Sequence, residues 1–523
     1  MRRRRVLLVV AIVAVLAVAA IVTAAVVGGE SSQKPVDRAV GLVPPGASLY
    51  VHADVAEDSD QLRRFLDVTG RLPSLARLER DALRRLAAGG DPVALQIRVR
   101  PWLGDEAALA LLPDGNRATS LILLEVASRP RAQQFLASLG RATTTTYRGI
   151  EVRSYGTRAA AFIGRFLAIG NDFNVRAAVD ALRGGSLEDR SDFQAAVQRL
   201  DLDDRFAYAY VSNQGLGLVK GQGGAAARLA TLFQDPALRG AAAAVRFEGE
   251  GARLSVSRAL LPSAQQAEAA QASFTPGIPG EIPSDTLAYL GEKGVDRIAE
   301  TLSRFGGGSG SSSPLSLVLD RLGINLGRPG ERLLLRAVQS LFGREAGLVV
   351  LPPDELPSIN LLVLDTSQEE GGDVLVKLQP LFSKLLQASA SGGQVPVLQP
   401  ERIGDLEALT LRINAAVQLT YAAFGGRVAI SSDPDGIRRL SSPGSSLEDN
   451  PAFAPGMRNL LEGASSVLFL DLRRLSSQVQ QTGFGATPEL RPFAVDLARI
   501  GRVTAITKSE RSSQAVDIFV EVP

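Results

Sequence analysis

Residues 43–51 read VPPGASLYV and residues 282–290 read IPSDTLAYL, one pattern written twice. At a constant offset of 239, Pro44 and Tyr50 fall on Pro283 and Tyr289. The same offset carries LGDEAALALLP, from Leu103, onto FGREAGLVVLP, from Phe342. It aligns Gly104, Glu106 and Pro113 with Gly343, Glu345 and Pro352, and carries Ser128 onto Ser367. Farther on, SLEDRSDF from Ser186 meets SLEDNPAF from Ser446 at an offset of 260. The longer offset implies an insertion of about 21 residues in the second copy, placed in the Gly-, Ser- and Gln-rich stretch from Glu369 to Gln399. Registrations that recur in one order define an internal repeat. The reading is two homologous units, 43–262 and 280–523, with a turn-rich joint at 263–279 and a flexible GGGSGSSS loop at 306–313.

Within each unit short β-branched or aromatic runs alternate with amphipathic stretches. Ser48–Val55, Ala107–Leu112, Ser120–Val126, Gly149–Ser154, Ala159–Ile169, Phe206–Val211, Ala242–Glu248 and Ala252–Arg258 read as strands. Pro73–Ala88, Arg131–Leu139, Val175–Leu182, Ser191–Leu200 and Ala225–Phe233 read as helices. Many strands abut with only turns between them, which predicts an α+β fold of mainly antiparallel sheet with packed helices. In SLED, Ser186 or Ser446 is placed to cap a helical turn while Asp189 or Asp449 returns the bond to the backbone, and this capping box is favoured over a carboxylate active site.

The N-terminus adds an expected membrane anchor. Arg2–Arg5 precede Val6 to Val27, a run that is apolar except at Thr23. A helix of that length is about 33 Å long, enough for a hydrocarbon core of about 30 Å. It is longer than the apolar core of a cleaved signal peptide, so an anchor is favoured over cleavage. Basic flanks stay cytoplasmic. The expected order is a basic tail at 1–5, a single transmembrane span at 6–27, a linker at 28–42 and an extracytoplasmic bulk held at the cell membrane.

Composition narrows the chemistry. The 523 residues include no Cys, which excludes disulfides, thiol nucleophiles, iron–sulfur clusters and Cys-ligated zinc. With His52 the one histidine, multi-histidine metal sites are excluded as well. Lys and Arg total 57 against 55 Asp and Glu, and four of the arginines sit in the tail, so no dense basic footprint for nucleic acid exists on the folded part. Aromatic residues at 5% supply no stacking platform.

Four features bear on chemistry. His52 and Asp54 share a strand face, but their repeat positions are Gly291 and Lys293 and no G-x-S-x-G elbow accompanies them, so a structural histidine is favoured over a relay. Glu106 and Glu345, and Glu151 with Glu407, are repeat-related carboxylates, read as equivalent structural positions rather than an acid–base pair. GLGLVKG, Gly215 to Gly221, fits neither phosphate-loop spacing. Trp102 is read as a core anchor at a strand entrance, as Phe342 is in the other unit.

The VPPGASLYVHAD opening, PWLGDEAALALLP from Pro101, GRFLAIGND from Gly164 and the following GGSLEDRSDFQAAVQRL, with the N-terminal anchor, resemble the DUF3352 family of bacterial proteins over most of 43–523. The resemblance implies an envelope-anchored protein and carries over no catalytic residues. No catalytic, cofactor-binding or metal-ligating residue is assigned, and no cofactor is expected. The expected function is a non-enzymatic, membrane-tethered binding or interaction protein that takes an apolar ligand such as a lipid, or an envelope protein. Alternatives are an extracytoplasmic hydrolase or transferase using carboxylates or serine between the units, and a scaffold without ligand.

Overall fold

A computed structural model of the chain describes residues 36–56, 59–72, 98–115, 117–216, 238–261, 273–298, 341, 343–352, 358–367, 369–374, 376–377, 380, 398–414, 417–451, 453, 461–475, 499–510 and 513–523. The chain divides into two compact units, residues 3–269 with 510–523, and residues 270–509.

The first unit contains β1 (Leu49–Asp54), α1 (Asp60–Gly70), β2 (Leu103–Asp114), β3 (Arg117–Val126), α2 (Arg129–Ser138), β4 (Thr143–Tyr147), β5 (Ile150–Tyr155), β6 (Arg158–Ile163), β7 (Phe166–Gly170), α3 (Asp172–Gly184), α4 (Ser191–Val197), β8 (Ala207–Ser212), β9 (Leu238–Glu248) and β10 (Gly251–Leu260). Its strands lie in the order β4-β5-β6-β7-β3-β2-β1-β8-β9-β10, every pair antiparallel. The second unit contains β11 (Ala288–Lys293), β12 (Glu345–Leu351), β13 (Ser358–Leu364), β14 (Leu398–Ile403), β15 (Leu406–Asn414), β16 (Val417–Phe424), β17 (Arg427–Ser431), α5 (Pro434–Ser441), β18 (Ser466–Asp471) and β19 (Arg502–Glu510). It repeats the order as β14-β15-β16-β17-β13-β12-β11-β18-β19.

Period-two alternation gives each sheet two faces. In the first unit one face buries Tyr50, Ala110, Leu121, Val152, Tyr208 and Tyr210 together with Val175 and Val179 of α3 and Phe193 of α4. Elsewhere in the unit Phe65 of α1 packs on Phe206 and Phe247 with ring centroids 4.6 and 5.5 Å apart. Both SLED segments are capped 3-10 turns, in which the Ser186 and Ser446 N–H groups donate to Asp189 and Asp449 at 2.8 and 3.1 Å. Each turn docks on the opening motif of its own unit, Leu187 N–H to Val43 C=O at 2.8 Å and Leu447 N–H to Ile282 C=O at 2.9 Å.

The expected N-terminal transmembrane helix is corrected. No helix among the described residues is long and apolar enough to cross a membrane. The tail at 1–5 and the run at 6–27 on which that expectation rested lie outside them. The fold class becomes mainly antiparallel sheet with packed helices. The single-pass cell-membrane placement, the extracytoplasmic localisation and the membrane as a partner are withdrawn with the helix. In physical terms, the apolar residues of the described chain alternate along strands and are spent on sheet–helix packing rather than gathered into one long apolar helix.

Smaller differences have local causes. The expected strand Ala159–Ile169 is a hairpin, because Gly164 takes φ +56° and turns the chain between β6 and β7. Helix α1 lies outside the expected helices because charges on its outer face break up its apolar stripe, yet it buries Leu62, Phe65 and Val68. The helices expected at 73–88 and 225–233, and the loop at 306–313, lie outside the described residues. The second unit is expected to run to residue 523, but β20 (Ser513–Glu521) belongs to the unit of residues 3–269 and pairs with β10 from Gly251↔Glu521 to Ala259↔Ser513. Gly251 permits the approach, since a Cβ there would stand 2.3 Å from the Val520 carbonyl oxygen. Ile518 of β20 is fully buried. Ile518→Ala is expected to cost about 2–4 kcal/mol and to speed amide exchange along β10, read by hydrogen–deuterium exchange, whereas Ile506→Ala in β19 leaves β10 protected.

Candidate functional site

Strand register assembles a polar cluster inside the first unit. Tyr50, His52 and Asp54 point to one face of β1. Across β8, Tyr50 faces Tyr210 and His52 faces Tyr208; across β2, His52 faces Ala108 and Asp54 faces Glu106. Glu106 is thus the diagonal neighbour of His52, and the small Ala108 between them leaves the space open. From above, the 3-10 turn Ala39–Leu42 brings in Asp37 and Arg38, residues read from sequence as linker.

The contacts define three layers. The backbone N–H of Arg38 donates to Glu106 Oε2 at 2.8 Å and its guanidinium to Oε1 at 2.7 Å. Asp37 accepts from Val40 N–H at 3.0 Å, from the Tyr50 hydroxyl at 2.8 Å and from the Tyr208 hydroxyl. Between the carboxylates stands His52, fully buried, with Nε2 3.6 Å from Glu106 Oε2 and 3.8 Å from Asp37 Oδ1. Those separations are too long for ordinary hydrogen bonds, and neither ring nitrogen has a partner. Behind the cluster, Glu125 accepts the N–H groups of Asp105 and Glu106 at 3.0 and 3.2 Å and pairs with Arg165 at 3.1 Å. Gly104 makes room, because a Cβ there would lie 2.7 Å from Glu125 Cγ.

Electrostatics separate the acids. Burial pushes the Glu106 carboxyl up, but His52 and the two Arg38 donors outweigh it and hold the group below the usual carboxylate range. Glu125 lies above that range through burial and the charge of Glu106, and Asp54 lies above its own range through burial. Tyr50 and Tyr208 are pushed far up by burial and by Asp37, so both hydroxyls remain donors.

The second unit keeps the frame and lacks the cluster. Glu345 accepts the N–H groups of Gly277 and Ile278 at 2.9 and 2.8 Å, as Glu106 accepts that of Arg38. The positions of Asp37, His52 and Tyr208 are held by Pro276, Gly291 and Val467. Tyr289, the counterpart of Tyr50, lies over two glycines: a Cβ on Gly291 would be 1.9 Å from its hydroxyl, and one on Gly347 2.9 Å from its ring. A tyrosine ring therefore fills the space given to His52 and Ala108 in the first unit.

The other sequence candidates stay apart from this cluster. Asp54 caps its own strand end, accepting from Ala56 N–H and Ser59 Oγ at 3.2 and 3.0 Å. Glu106 and Glu345 belong to different units, Glu151 pairs with Arg153 at 2.5 Å, and Glu407 is exposed. Trp102 is buried against Phe135, its indole N–H donating to Arg98 C=O at 2.8 Å. Phe342 and most of Gly215 to Gly221 lie outside the described residues. The sequence reading missed Asp37 and Tyr208; the loss of histidine at the repeat position, already visible, was the available signal.

A surface groove of about 440 Å³ opens on the same unit, lined among others by Arg190, Asp192, Asn213, Leu238, Arg239 and Leu261. Arg190 pairs with Asp192, which also accepts from the Tyr210 hydroxyl at 3.0 Å, while Arg239 donates to Ser191 Oγ at 2.9 Å. Phe193 packs edge-on against Tyr210 at 5.1 Å and Tyr50 at 6.4 Å, so a run of rings links the groove to the cluster.

A family model described as "Protein of unknown function (DUF3352)" matches residues 7–522. No curated protein matches the chain. Crystal form III of TP0453 is similar at 12% identity over 46% of this chain and 88% of that one, with a TM-score of 0.26. Form IV is similar at 10% identity over 42% and 79%, with a TM-score of 0.25. Likeness at those scores does not establish a common fold.

The two clamping glutamates give a paired test. A lowered carboxyl stabilises above its unfolded value, near 4.5, and loses that stabilisation as pH falls through the folded value; a raised one does the reverse. Glu345 is raised, by burial first. Glu106→Gln is expected to cost about 2–3 kcal/mol at neutral pH, with the gap to wild type narrowing below about pH 4.5. For Glu345→Gln the gap widens on acidification. Urea unfolding across pH reads both.

Proposed function

This chain belongs to the DUF3352 family, and from that footing we propose that it is a non-enzymatic binding protein that takes a small amphiphile with an anionic head in the groove of its first unit. The observation that carries the reading is the composition of that groove. Arg190 is neutralised by Asp192, which leaves Arg239 as the uncompensated guanidinium among the named lining groups, and Leu238 and Leu261 stand beside it. A volume of about 440 Å³ is in the range of small-ligand sites. A head group accepts from Arg239 while a short apolar chain covers Leu261, which is 41% exposed.

The hydrolase alternative draws no support from the carboxylates on which it was based. Glu106 and Glu345 each hold backbone N–H groups of their own unit, and His52 is sealed under Asp37 and the tyrosines, away from any substrate. A group that touches no substrate performs no acid–base step.

Calorimetric titration of the full chain with sodium dodecanoate, below its micellar range, tests the reading against dodecanol as the neutral control. One saturable site for dodecanoate is expected, with Arg239→Ala weakening it about tenfold, the worth of roughly 1.4 kcal/mol of charge-assisted hydrogen bonding. Absence of saturable binding, equal binding of dodecanol, or an unchanged affinity in Arg239→Ala contradicts it, and the scaffold alternative then gains.

A further inference from the structure

We propose that Asp37, His52 and Glu106 form a site for one divalent transition-metal ion, bound by Asp37 Oδ1, His52 Nε2 and Glu106 Oε2. The inference does not depend on the groove.

The distances fit. Two donors bonded at about 2.1 Å to one ion at a tetrahedral angle stand about 3.4 Å apart. Nε2 lies 3.6 and 3.8 Å from its two carboxylate oxygens, and the three donor atoms all fall within 4.8 Å of one another. Contraction of a few tenths of an ångström brings Nε2 to that spacing from each carboxylate oxygen, and the two carboxylates, which lie within 4.8 Å of one another, close by up to about 1.4 Å.

Lone-pair accounting also leaves each ligand free to bind. A carboxylate oxygen has two acceptor directions. On Glu106, Oε1 takes the Arg38 guanidinium and Oε2 only the Arg38 N–H. On Asp37, the Tyr50 hydroxyl stands 2.8 Å from both oxygens; with its one proton directed to Oδ2, beside the Tyr208 hydroxyl, Oδ1 keeps one direction next to Val40 N–H. The Arg38 and tyrosine donors then orient the ligand oxygens, as supporting groups do in metal sites. His52 supplies the independent observation: a fully buried imidazole aimed between two carboxylates with no hydrogen-bond partner on either nitrogen. An ion on Nε2 gives that nitrogen the partner it lacks, while Nδ1 carries the ring proton.

The second unit is an internal control. It folds with Pro276, Gly291 and Val467 at the corresponding positions and retains only Glu345, whose oxygens clamp backbone N–H groups. The framework therefore does not require Asp37, His52 or Tyr208. One imidazole and two carboxylates suit Zn²⁺, Mn²⁺, Fe²⁺ or Co²⁺, whereas Ca²⁺ asks for six to eight oxygens. The rival occupant of the same space is a proton, with His52 as an imidazolium between the acids.

The test uses the full folded chain, purified without chelator, analysed by elemental mass spectrometry, then stripped and titrated with Co²⁺ and with Zn²⁺ in competition. About one equivalent of transition metal per chain is expected, with a Co²⁺ visible band that Zn²⁺ abolishes. His52→Gln is expected to weaken binding by more than about 100-fold, beyond what a supporting residue is worth. Asp37→Asn, which keeps one acceptor oxygen and offers an NH₂ donor to a tyrosine hydroxyl oxygen, supplies the same reading should His52→Gln not fold, and Glu345→Gln leaves binding unchanged. Absence of saturable Co²⁺ or Zn²⁺ binding by wild type, or binding that survives both substitutions, overturns the proposal.

Discussion

One contact recurs in each unit: a glutamate on the second strand accepts backbone N–H from the segment that opens the turn before the first strand. Glu106 does this for the turn Ala39–Leu42 and Glu345 for the turn Ile278–Gly280. A turn has N–H groups with no partner inside it, and burial makes them costly unless something accepts. The carboxylate answers that need and in doing so sets the height of the turn above the sheet. In the first unit that height decides where Asp37 and Arg38 enter. The SLED turns dock on the same openings through Leu187 and Leu447, so three pieces distant in sequence share one anchor.

On this common frame the two units spend their interior differently. The first places polar atoms over the β1, β2 and β8 strands and satisfies them through Arg38, Tyr50 and Tyr208, with His52 left over. The second lays Tyr289 across Gly291 and Gly347 and fills the same volume with a ring. Its hydroxyl is buried without a hydrogen-bond partner, near the charge of Glu345. Each arrangement carries one unsatisfied polar side chain, which in a packed interior is a cost of about 1–3 kcal/mol. In the first unit Nε2 of the unpartnered imidazole faces two carboxylates, and that is the arrangement able to capture a cation.

Much of the frame was legible. The pairs Tyr50 and Tyr289, Glu106 and Glu345, and the two capping boxes stood out because repetition at constant offset exposes positions that backbone geometry constrains. What stayed hidden was hidden for physical reasons. Asp37 lies in a polar stretch that reads as linker, and only a long-range contact to Tyr50 and Tyr208 reveals that it is packed. Strand alternation paired His52 with Asp54, but the sheet diagonal from β2 brings Glu106 closer, and register across strands cannot be read from one strand. The expected membrane helix was drawn from a single apolar run, and nothing in the described fold depends on it.

As proposed, the polar centre of the first unit is a cation site which the second unit has not got. Because His52 is the one histidine in the chain, histidine-selective ¹⁵N labelling gives a single imidazole to observe. A cation site predicts an Nε2 resonance that moves on addition of Zn²⁺ and an Nδ1 that keeps its proton. Two protonated nitrogens whose resonances ignore Zn²⁺ would contradict it and leave an ion-paired imidazolium in the site.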